Sequence, residues 1–370
     1  MNALVIGGTG TTGPFIMEGL LGRGYKVTML HRGTHEVELP LEVEHLHADP
    51  HWLESLNEAL EGKSFDLVVA TYGRLRHVAE AIKGHTPRLV SSGGHAVYKG
   101  WLRISDPHVF QNMEESPVPV PEEGFLEEPR VDHFVDRIRE AELVVMQAHG
   151  EGHYNATHFR YPIVYGPRHL APPDWSIIRR ALDGRRQLVL PNGGQILLSR
   201  GYGENVAHAI LLAIDKPDAS AGQIYNIRDD RLLTNRQWVE LIAQVLGHEF
   251  ELVDMPLSIV RPGYSYAYPA TLMFPYHQVM DITKAKEELG YRDIVPVERA
   301  MELTVKWFLE NKPAPGGDLE QNISDPFDYA AEDRLIQRLS SIWADLRQTS
   351  GTDYIWRHPY AHPQKRGDLK

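Results

Sequence analysis

The chain has 370 residues, of which 42% are hydrophobic and 24% are charged, a composition typical of globular proteins. Its net charge of −12 argues against binding of duplex DNA, because contacts to phosphates need clustered lysines and arginines. It has no cysteine, which excludes disulfides, iron–sulfur clusters, thiolate zinc sites and a cysteine nucleophile.

Short apolar runs alternate with amphipathic stretches through the first half of the chain. The runs predict β-strands at residues 3–6, 26–30, 43–46, 67–70 and 88–91. The stretches between them have helical periodicity at residues 12–21, 52–60 and 78–82. Strands separated by helices are typical of βαβ units. The sequence therefore predicts an α/β protein with a doubly wound parallel sheet.

A change in composition follows these elements. Residues 114–129 are rich in proline and glutamate, which predicts an acidic loop or flap. A long helix is predicted at about residues 131–149. A further strand is predicted at residues 156–159, and it leads directly into the segment 160–167.

The second half of the chain gives a weaker pattern. Beyond Pro172 the sequence mixes helical and strand-like stretches. After Lys312 an extension begins with prolines and glycines and ends in an aromatic and basic segment, residues 354–370. The aromatic side chains between Trp356 and Tyr360 argue that this end docks on the protein or on a partner subunit, and a disordered tail is the alternative.

A glycine-rich loop joins the first strand to the first helix. Gly7, Gly10 and Gly13 are spaced three residues apart. Small residues let the backbone approach a pyrophosphate, and the helix N-terminus adds free N–H groups and a positive dipole end. We therefore expect a dinucleotide here, held by Gly7, Thr9, Gly10, Thr11, Thr12 and Gly13. The alternative is a tight strand–helix turn without a ligand.

The end of the second strand bears on the choice of cofactor. A carboxylate at this point would hold the ribose hydroxyls of NAD, whereas an arginine suits the additional phosphate of NADP. This chain has Arg32 there, and its nearest downstream acid is Glu36. The sequence therefore favours NADP over NAD. Asp49, after the third strand, is a candidate partner of the adenine amino group, with a turn cap before Pro50 as the alternative.

Together with later motifs, the glycine loop resembles the extended short-chain dehydrogenase/reductase superfamily, which includes NAD(P)-dependent sugar epimerases and dehydratases. The matching segments are the loop, Ser91-Ser92 with Val97-Tyr98, and residues 160–168, 204–207, 281–284 and 289–291. The resemblance implies a Rossmann domain, a smaller mixed α/β C-terminal substrate domain, and a homodimer. It also implies that the backbone at Tyr161, Pro162 and Ile163 lies beside the nicotinamide.

The resemblance suggests a division of the chain into three parts. Residues 1–170 are expected to form the NADP-binding Rossmann domain, to which residues of about 195–230 return. Residues 171–311 are expected to form mainly the substrate-binding domain. Residues 312–370 are expected to form an extension that packs on the body or on a partner subunit.

The catalytic signature of the superfamily is missing from this sequence. Its members pair a tyrosine with a lysine four residues later and use an upstream serine or threonine. Anchoring the helix on Ala141-Glu142 places Phe134 at the tyrosine position and Ile138 at the lysine position. A glycine of Gly93-Gly94 takes the place of the serine. Phenylalanine and isoleucine cannot transfer a proton, so the usual mechanism does not carry over to this chain.

Several residues are candidates to replace that signature. His133 and Arg137 stand at i and i+4 on one helix face, where they suit acid–base chemistry and anion binding, or form an exposed polar face. His95 follows two glycines at a strand end, where sheet ligands bind. Tyr72 and Tyr98 are also candidate proton donors. The alternatives for these two tyrosines are stacking beside the cofactor and packing, respectively.

The substrate side gives less information. Six arginines are candidates to bind an anionic group, although solvation is the ordinary alternative: Arg168, Arg179, Arg180, Arg185, Arg186 and Arg200. An aromatic run suggests an apolar or ring-bearing substrate, although core packing explains it equally well: Tyr264, Tyr266, Tyr268, Phe274 and Tyr276. Three pairs of histidines have ligand-like spacing without an evident third ligand, so no metal is expected: His45/His47, His149/His153 and His358/His362.

The sequence thus favours an NADP-dependent oxidoreductase that acts on a small carbonyl or hydroxyl compound with a non-standard proton donor. A lyase, dehydratase or epimerase with tightly bound NAD(P) and transient redox chemistry is one alternative. A non-catalytic NADP-binding sensor or regulator is another. We expect a small-molecule substrate and no nucleic-acid or membrane partner. A cytoplasmic location is expected because no apolar stretch or signal peptide is evident.

Overall fold

The structure is a computed structural model that describes residues 1–33, 40–101, 117–130, 132–257, 276–323, 325–349 and 351. Its strands are β1 (Asn2–Ile6), β2 (Lys26–His31), β3 (Glu44–His47), β4 (Leu67–Ala70), β5 (Arg88–Gly94), β6 (Asn155–Tyr161), β7 (Ile163–Tyr165), β8 (Gln187–Pro191), β9 (Leu197–Leu198), β10 (Arg200–Tyr202), β11 (Gln223–Asn226), β12 (Leu233–Thr234) and β13 (Glu251–Met255). Its helices are α1 (Gly13–Gly22), α2 (Leu53–Leu60), α3 (Leu75–Ala81), α4 (His133–Gly150), α5 (Trp175–Leu182), α6 (Gly203–Asp215), α7 (Asn235–Leu246), α8 (Val297–Glu310), α9 (Asp318–Asn322) and α10 (Tyr329–Thr349).

A seven-stranded sheet organises the described part of the first half of the chain. Its order is β11-β6-β5-β4-β1-β2-β3, and its neighbouring strands pair in parallel. The chain moves outward from β1 to β3, then returns to β4 on the other side of β1 and continues to β6. This reversal is the doubly wound topology, so the predicted α/β class is confirmed.

Alternating side chains of β1 show how the sheet is covered on both faces. Ala3 and Val5 pack with apolar residues of α1 and α6, whereas Leu4 and Ile6 pack with those of α2, α3 and α4. All four β1 residues are fully buried. Because both faces are covered, residues 3–6 of the strand are all apolar, as is typical of parallel sheets. The carboxyl ends of the strands remain as the open edge of this layered structure.

The predicted elements of the first half match the observed ones closely. The strands predicted at 43–46 and 156–159 are β3 and β6, and the helix predicted at about 131–149 is α4. Helix α3 begins before the predicted 78–82 because Leu75 is already buried against the sheet. At the N-terminus of α4, Asp132 Oδ1 accepts hydrogen bonds from the backbone N–H groups of Phe134 and Val135, at 2.8 and 3.2 Å.

The later part of the chain forms short paired strands covered by helices. Strand β13 pairs in parallel with β8, β10 pairs in parallel with β7, and β12 pairs antiparallel with β9. Buried residues of α5, α7 and α8 share one apolar cluster around Trp238 and Phe308. The division of the chain into domains at the expected boundaries stays a prediction.

The described part of the C-terminal extension lies against this later part. Ile336 and Leu339 of α10 are buried with Val189 of β8 and Met255 of β13. Trp343 Nε1 donates to the backbone carbonyl of Asp254 at 3.0 Å. Residues 352–370, which include the aromatic and basic segment, lie outside the described residues. None of the helices in the described ranges is long and apolar enough to cross a bilayer.

Candidate functional site

The three glycines of the loop between β1 and α1 have different surroundings. Gly7 has φ +100°, and a Cβ there would lie 2.4 Å from Tyr72 Cβ. A Cβ at Gly13 would lie 2.1 Å from the Gly8 carbonyl oxygen. A Cβ at Gly10 would meet no atom within 4 Å. The first and third glycines therefore serve close packing, whereas the second faces open space.

That open space belongs to a cleft at the carboxyl ends of the central strands. Its walls come from the glycine loop, the end of β2, the end of β4 and the segment after β6. The lining residues are Gly7, Thr9, Gly10, Thr11, Thr12, Leu30, His31, Arg32, Gly33, Pro50, Thr71, Tyr72, Tyr161, Val164 and Leu170. All six predicted loop residues except Gly13 line this cleft, together with Arg32 and Tyr161.

The first turn of α1 suits an anion. Pro14 stands in that turn, and Thr12 precedes the helix without using its side chain as a cap. No acidic side chain lies in the first turn. The positive end of the helix dipole therefore faces the cleft without a compensating protein carboxylate in this turn. A pyrophosphate laid over Gly10 would supply the negative charge.

Arg32 and Tyr72 close one end of the cleft. Arg32 Nη2 donates a hydrogen bond to Tyr72 Oη at 2.9 Å, and the guanidinium lies 5.7 Å from the centre of the tyrosine ring. Tyr72 is 41% exposed and stands directly over Gly7. This position is beside the glycine loop and in the cleft lining, and the choice between cofactor stacking and substrate protonation as the role of Tyr72 stays a prediction.

Asp49 lies close to the same end of the cleft, after β3. Its Oδ1 accepts hydrogen bonds from the backbone N–H of His51 at 3.0 Å and from the His51 ring at 2.7 Å. Burial opposes ionisation of this carboxyl, but the His51 hydrogen bonds prevail and lower its pKa. Asp49 is therefore an anion that Arg32 can face, and its second oxygen stays available for an adenine amino group.

Tyr161 forms the opposite end of the cleft. Its hydroxyl is buried, and burial raises its pKa against the opposing effect of the Thr12 and Ser92 side chains. Among the residues that the structure describes, no group hydrogen-bonds to Tyr161 Oη with good geometry. Pro162 packs on Gly201, and the Ile163 N–H donates to the Ser199 carbonyl. Of the three residues whose backbone is expected beside the nicotinamide, Tyr161 lines the cleft and the other two do not, and the contact with the cofactor stays a prediction.

His95 is anchored beside Tyr161. It follows the end of β5, and its Nδ1 donates a hydrogen bond to the Tyr161 backbone carbonyl at 2.9 Å. That bond fixes the proton on Nδ1 and leaves a lone pair on Nε2. Desolvation lowers the pKa of the half-buried ring. His95 is therefore neutral near pH 7 and has an available basic nitrogen.

Two polar side chains close to His95 are buried without full hydrogen bonding. The ring of Trp101 lies 5.2 Å from that of His95, and the Gln278 side-chain amide donates to the Trp101 carbonyl at 2.8 Å. Within the described ranges, neither Trp101 Nε1 nor Gln278 Oε1 has a partner, although each residue is 1% exposed. Buried atoms of this kind are costly.

The positions of the missing catalytic signature lie next to His95. Ile138 is close enough to the strand that a Cβ at Gly94 would lie 3.7 Å from its Cδ1. Phe134 is 59% exposed on the same helix. The structure therefore brings the two glycines and Ile138 together at the place where the resemblance expects serine and lysine. The Ile138 side chain occupies that place through apolar contacts.

His133 and Arg137 lie on the exposed surface of α4. Arg137 Nη2 and Nε lie 2.7 and 3.1 Å from His133 Nε2, so the arginine donates to the neutral ring. Neither residue lines the cleft. Their predicted proximity to each other is observed, but the structure supports the exposed polar face rather than contact with a ligand in the cleft.

Tyr98 is enclosed in a polar network in the core. It is fully buried, donates to Asn226 Oδ1 at 2.7 Å and accepts from Arg160 Nη1 at 2.8 Å. Arg160 in turn forms a bidentate pair with Glu142 at 2.7 and 2.9 Å. Burial raises the Tyr98 pKa to about 12. Tyr98 therefore cannot deliver a proton to a substrate, which corrects its prediction as a catalytic candidate.

Three of the six arginines expected to bind an anionic substrate pair with carboxylates of the C-terminal extension. Arg180 pairs with Asp325 at 2.6 Å and with Glu332 at 3.2 Å, and all three side chains are buried. The other pairs are Arg179–Glu320 and Arg185–Asp333. These contacts hold the C-terminal extension against α5, so we do not retain these three arginines as anion ligands.

The remaining candidates on the substrate side provide little structural evidence for a ligand site. Tyr276 packs in the cluster of Tyr98 and Trp101, whereas Tyr264, Tyr266, Tyr268 and Phe274 lie outside the described residues. Glu36, His358 and His362 also lie outside them. Across the described ranges, no group of three or more histidine or carboxylate side chains is arranged to hold a metal ion.

Comparison with known proteins gives a consistent family relationship. Residues 139–227 match the model of the NAD dependent epimerase/dehydratase family. Isoform 2 of the 3beta-hydroxysteroid-dehydrogenase/decarboxylase of Arabidopsis thaliana is 25% identical over 237 residues, covering 57% of this chain and 41% of that protein. The chloroplast stem-loop binding protein of 41 kDa b of the same plant is 25% identical over 303 residues, covering 78% and 74%.

A solved structure shows the same fold. The UDP-glucose 4-epimerase of Thermotoga maritima, determined with UDP-glucose, superposes with a TM-score of 0.67 at 21% identity. The match covers 85% of this chain and 100% of that one. Several curated relatives match over less than half of their own length. These comparisons relate the chain to nicotinamide-dependent enzymes without fixing a substrate.

Proposed function

We propose that this chain, which matches the model of the NAD dependent epimerase/dehydratase family over residues 139–227, is an NADP(H)-dependent oxidoreductase with an altered proton-transfer group. Its substrate is a small neutral carbonyl or hydroxyl compound. The observation that carries the proposal is the hydrogen bond from His95 Nδ1 to the backbone carbonyl of Tyr161, because Tyr161 lines the glycine-rich cleft and His95 itself lies directly behind it, outside the lining residues.

The residues of the cleft fit a dinucleotide. Gly10 leaves room for a pyrophosphate, the first turn of α1 faces it, and Arg32 stands where the ribose phosphate of NADP(H) would lie. Asp49 would accept from the adenine amino group. Tyr161 would border the nicotinamide, as the superfamily resemblance implies. When bound, that cofactor would accept or deliver a hydride.

His95 supplies the proton chemistry in this proposal. In alcohol oxidation, Nε2 takes the hydroxyl proton while the Nδ1–H bond to the Tyr161 carbonyl holds the ring in place. In carbonyl reduction, the protonated ring returns that proton to the oxygen. Because its pKa is lowered, the neutral form prevails at pH 7 and favours oxidation. Reduction should gain rate as the pH falls toward that pKa.

The engagement of three arginines supports a neutral substrate. Arg179, Arg180 and Arg185 pair with carboxylates of the C-terminal extension and do not offer a free anion site. A neutral carbonyl or hydroxyl compound therefore fits better than a phosphorylated one.

An epimerase or dehydratase is the second candidate. The family model and the UDP-glucose 4-epimerase fold favour it. Such an enzyme keeps its cofactor bound through each turnover, whereas an oxidoreductase releases it. Absorbance and fluorescence of the protein as purified distinguish the two, since a retained nicotinamide stays with the protein through extensive dialysis.

A binding and turnover experiment tests the proposal. NADPH and NADH are titrated into the wild-type protein and into Arg32→Ala, and a panel of neutral ketones and alcohols is then screened by absorbance. We expect NADPH to bind more tightly than NADH and Arg32→Ala to remove the preference. His95→Gln should abolish turnover without weakening NADPH binding, whereas the matched variant His133→Gln should change neither.

Other results would redirect the assignment. Turnover that survives in His95→Gln would contradict the role of that histidine. NADPH binding without turnover of any compound would favour the sensor hypothesis. That hypothesis is suggested by Phe134 and Ile138, which stand where the catalytic tyrosine and lysine are expected. Absence of NADPH and NADH binding would overturn the oxidoreductase proposal.

The stem-loop binding relative raises RNA binding as a further possibility to test. The net charge of −12 opposes it, because RNA binding relies on contacts to phosphates. We expect no shift of an RNA hairpin by this protein in a gel at low salt. The homodimer and the cytoplasmic location stay predictions, which size-exclusion chromatography and cell fractionation check.

A further inference from the structure

A short helix of the C-terminal extension, α9, docks on α5. Its Glu320 is buried, accepts a hydrogen bond from Trp175 Nε1 at 2.8 Å and pairs with Arg179 at 2.6 Å. Ile323, directly after α9, is buried in the same apolar cluster as Trp175. An ion pair and apolar packing therefore fix the position of α9 on the body of the protein.

The last residue of α9 reaches the wall of the cleft. Asn322 Nδ2 donates a hydrogen bond to the backbone carbonyl of Leu170 at 2.8 Å. Leu170 lines the cleft, and its side chain is exposed. The two residues are 152 positions apart in the sequence. A side chain of the extension is thus bound directly to the main chain that borders the proposed cofactor.

The Leu170 carbonyl belongs to residues 166–171, between β7 and α5, which we call the cleft-wall loop. A Cβ at Gly166 would lie 3.2 Å from Thr11 Cγ2, so the loop begins against the glycine-rich loop. Near its other end, the Ala171 N–H donates to His169 Nδ1 at 3.0 Å. Burial lowers the pKa of His169 to about 4, so the ring is neutral near pH 7 and keeps this acceptor.

The bond from Asn322 sets where the cleft-wall loop lies relative to α9. Between exposed groups, such a bond adds little to the free energy of unfolding, because water replaces it in the unfolded chain. Leu170, however, can offer a ligand only apolar contact. A gap of about 0.5–1 Å forfeits a quarter to a half of a contact of this kind. The value of Leu170 to a ligand therefore depends on where its backbone is held.

We infer that Asn322 is a positioning residue for the proposed cofactor: its hydrogen bond holds the cleft-wall loop so that the Leu170 side chain packs against bound NADP(H). This inference rests on the proposed function. It gives a part in cofactor binding to the C-terminal extension, which follows the last segment of the family resemblance, residues 289–291. The contact does not involve the 2′-phosphate, so affinity for NADH should depend on Asn322 to the same degree.

Fluorescence titration of the full chain with NADPH and with NADH tests the inference. Asn322→Ala removes the bond to the cleft-wall loop. The matched control is Gln321→Ala, because Gln321 Nε2 donates to the Gly316 carbonyl, also at 2.8 Å, and this acceptor lies within the extension. Both side chains stand on α9 and are exposed. Leu170→Ala removes the side chain that the bond is inferred to position, and the double variant Asn322→Ala/Leu170→Ala completes a mutant cycle.

We expect Asn322→Ala to weaken the binding of NADPH and of NADH about threefold to tenfold, as the loss of one hydrogen bond would give. Gln321→Ala should bind both like wild type. Leu170→Ala should weaken binding at least as much as Asn322→Ala does. In the double variant, Asn322→Ala should add less than about a twofold further loss, because the two residues act on one contact. Thermal unfolding of Asn322→Ala and Gln321→Ala should match wild type.

The outcomes separate this inference from the proposed function. Unchanged affinity for both cofactors in Asn322→Ala would overturn the positioning role and leave the proposed function intact. An equal loss in Gln321→Ala would attribute the effect to α9 as a whole and would overturn it too. So would a loss from Asn322→Ala that is as large in the Leu170→Ala background as in wild type. Wild-type protein that binds neither NADPH nor NADH would overturn both the inference and the proposed function.

Discussion

Adding one methyl group at Gly10 or at Gly13 should separate cofactor binding from the stability of the glycine loop. A Cβ at Gly10 meets no atom within 4 Å, whereas a Cβ at Gly13 would lie 2.1 Å from the Gly8 carbonyl oxygen and 2.6 Å from the Gly8 Cα. The first position faces the cleft and the second faces backbone. Gly10→Ala and Gly13→Ala therefore add the same group at two sites of one loop, and each controls for the other.

The two variants should differ in free energy of unfolding. We expect Gly10→Ala to match wild type or to gain about 0.4–1 kcal/mol, because alanine restricts the unfolded chain more than glycine does. In Gly13→Ala the new methyl meets main-chain atoms, which cannot rotate away as a side chain does. Helix α1 then has to shift relative to β1, at a cost of about 1–3 kcal/mol.

Urea unfolding followed by circular dichroism measures the free energy of unfolding, and NADPH fluorescence measures the affinity for the cofactor. Gly10→Ala should weaken NADPH binding about tenfold or more, equivalent to about 1.4 kcal/mol, because the methyl occupies space that a pyrophosphate needs. Unchanged NADPH binding would show that no dinucleotide lies over Gly10. A Gly10→Ala protein as unstable as Gly13→Ala would refute the assignment of that position to open space.

Two further predictions concern the buried polar groups. Glu142→Gln should lower the free energy of unfolding by about 3–5 kcal/mol in urea titrations, because it leaves the Arg160 guanidinium without its buried carboxylate partner. A loss below about 1 kcal/mol would show that hydrogen bonds to Tyr98 and to the Glu122 carbonyl are enough to stabilise the buried guanidinium. Desolvation lowers the His158 pKa from 6.5 to about 4, so its neutral form contributes stability that is complete above about pH 6.5 and is lost as the pH falls through about 4. That contribution is on the order of 3 kcal/mol. In His158→Gln the free energy of unfolding should depend less on pH between these two values. An unchanged pH dependence would show that His158 is not the group responsible.

The sheet was predictable from the sequence because burial on both faces leaves a direct signal. Residues 3–6 and 67–70 are apolar without interruption, and both runs are central strands covered by helices on each side. The glycine spacing identified the cleft for a similar reason, since close packing at Gly7 and Gly13 admits no side chain. In both cases the constraint acts on a short stretch of chain.

Contacts between distant parts of the chain left no such signal. Arg180 was a candidate anion ligand until the structure showed its partners Asp325 and Glu332, which follow it by 145 and 152 residues. Tyr98 was a candidate proton donor, and its partner Asn226 lies 128 residues away. A charged or hydroxyl side chain has the same appearance in sequence whether it meets a ligand or an internal partner. The sequence therefore pointed to the cleft but could not rank the candidate residues around it.

The absence of the catalytic signature is better explained as repacking than as loss of single groups. A Cβ at Gly93 would lie 2.8 Å from His158 Nε2, so this position is closed to a side chain, whereas a Cβ at Gly94 would make an ordinary 3.7 Å contact with Ile138. Ile138 packs there with Tyr98, Val97 and the rest of their apolar cluster. A lysine at that position would bring a charge into apolar surroundings, which is costly without a partner. In the proposed function the acid–base group therefore comes from a side chain held by other contacts, and His95, fixed through Nδ1 to the backbone of β6, meets that requirement.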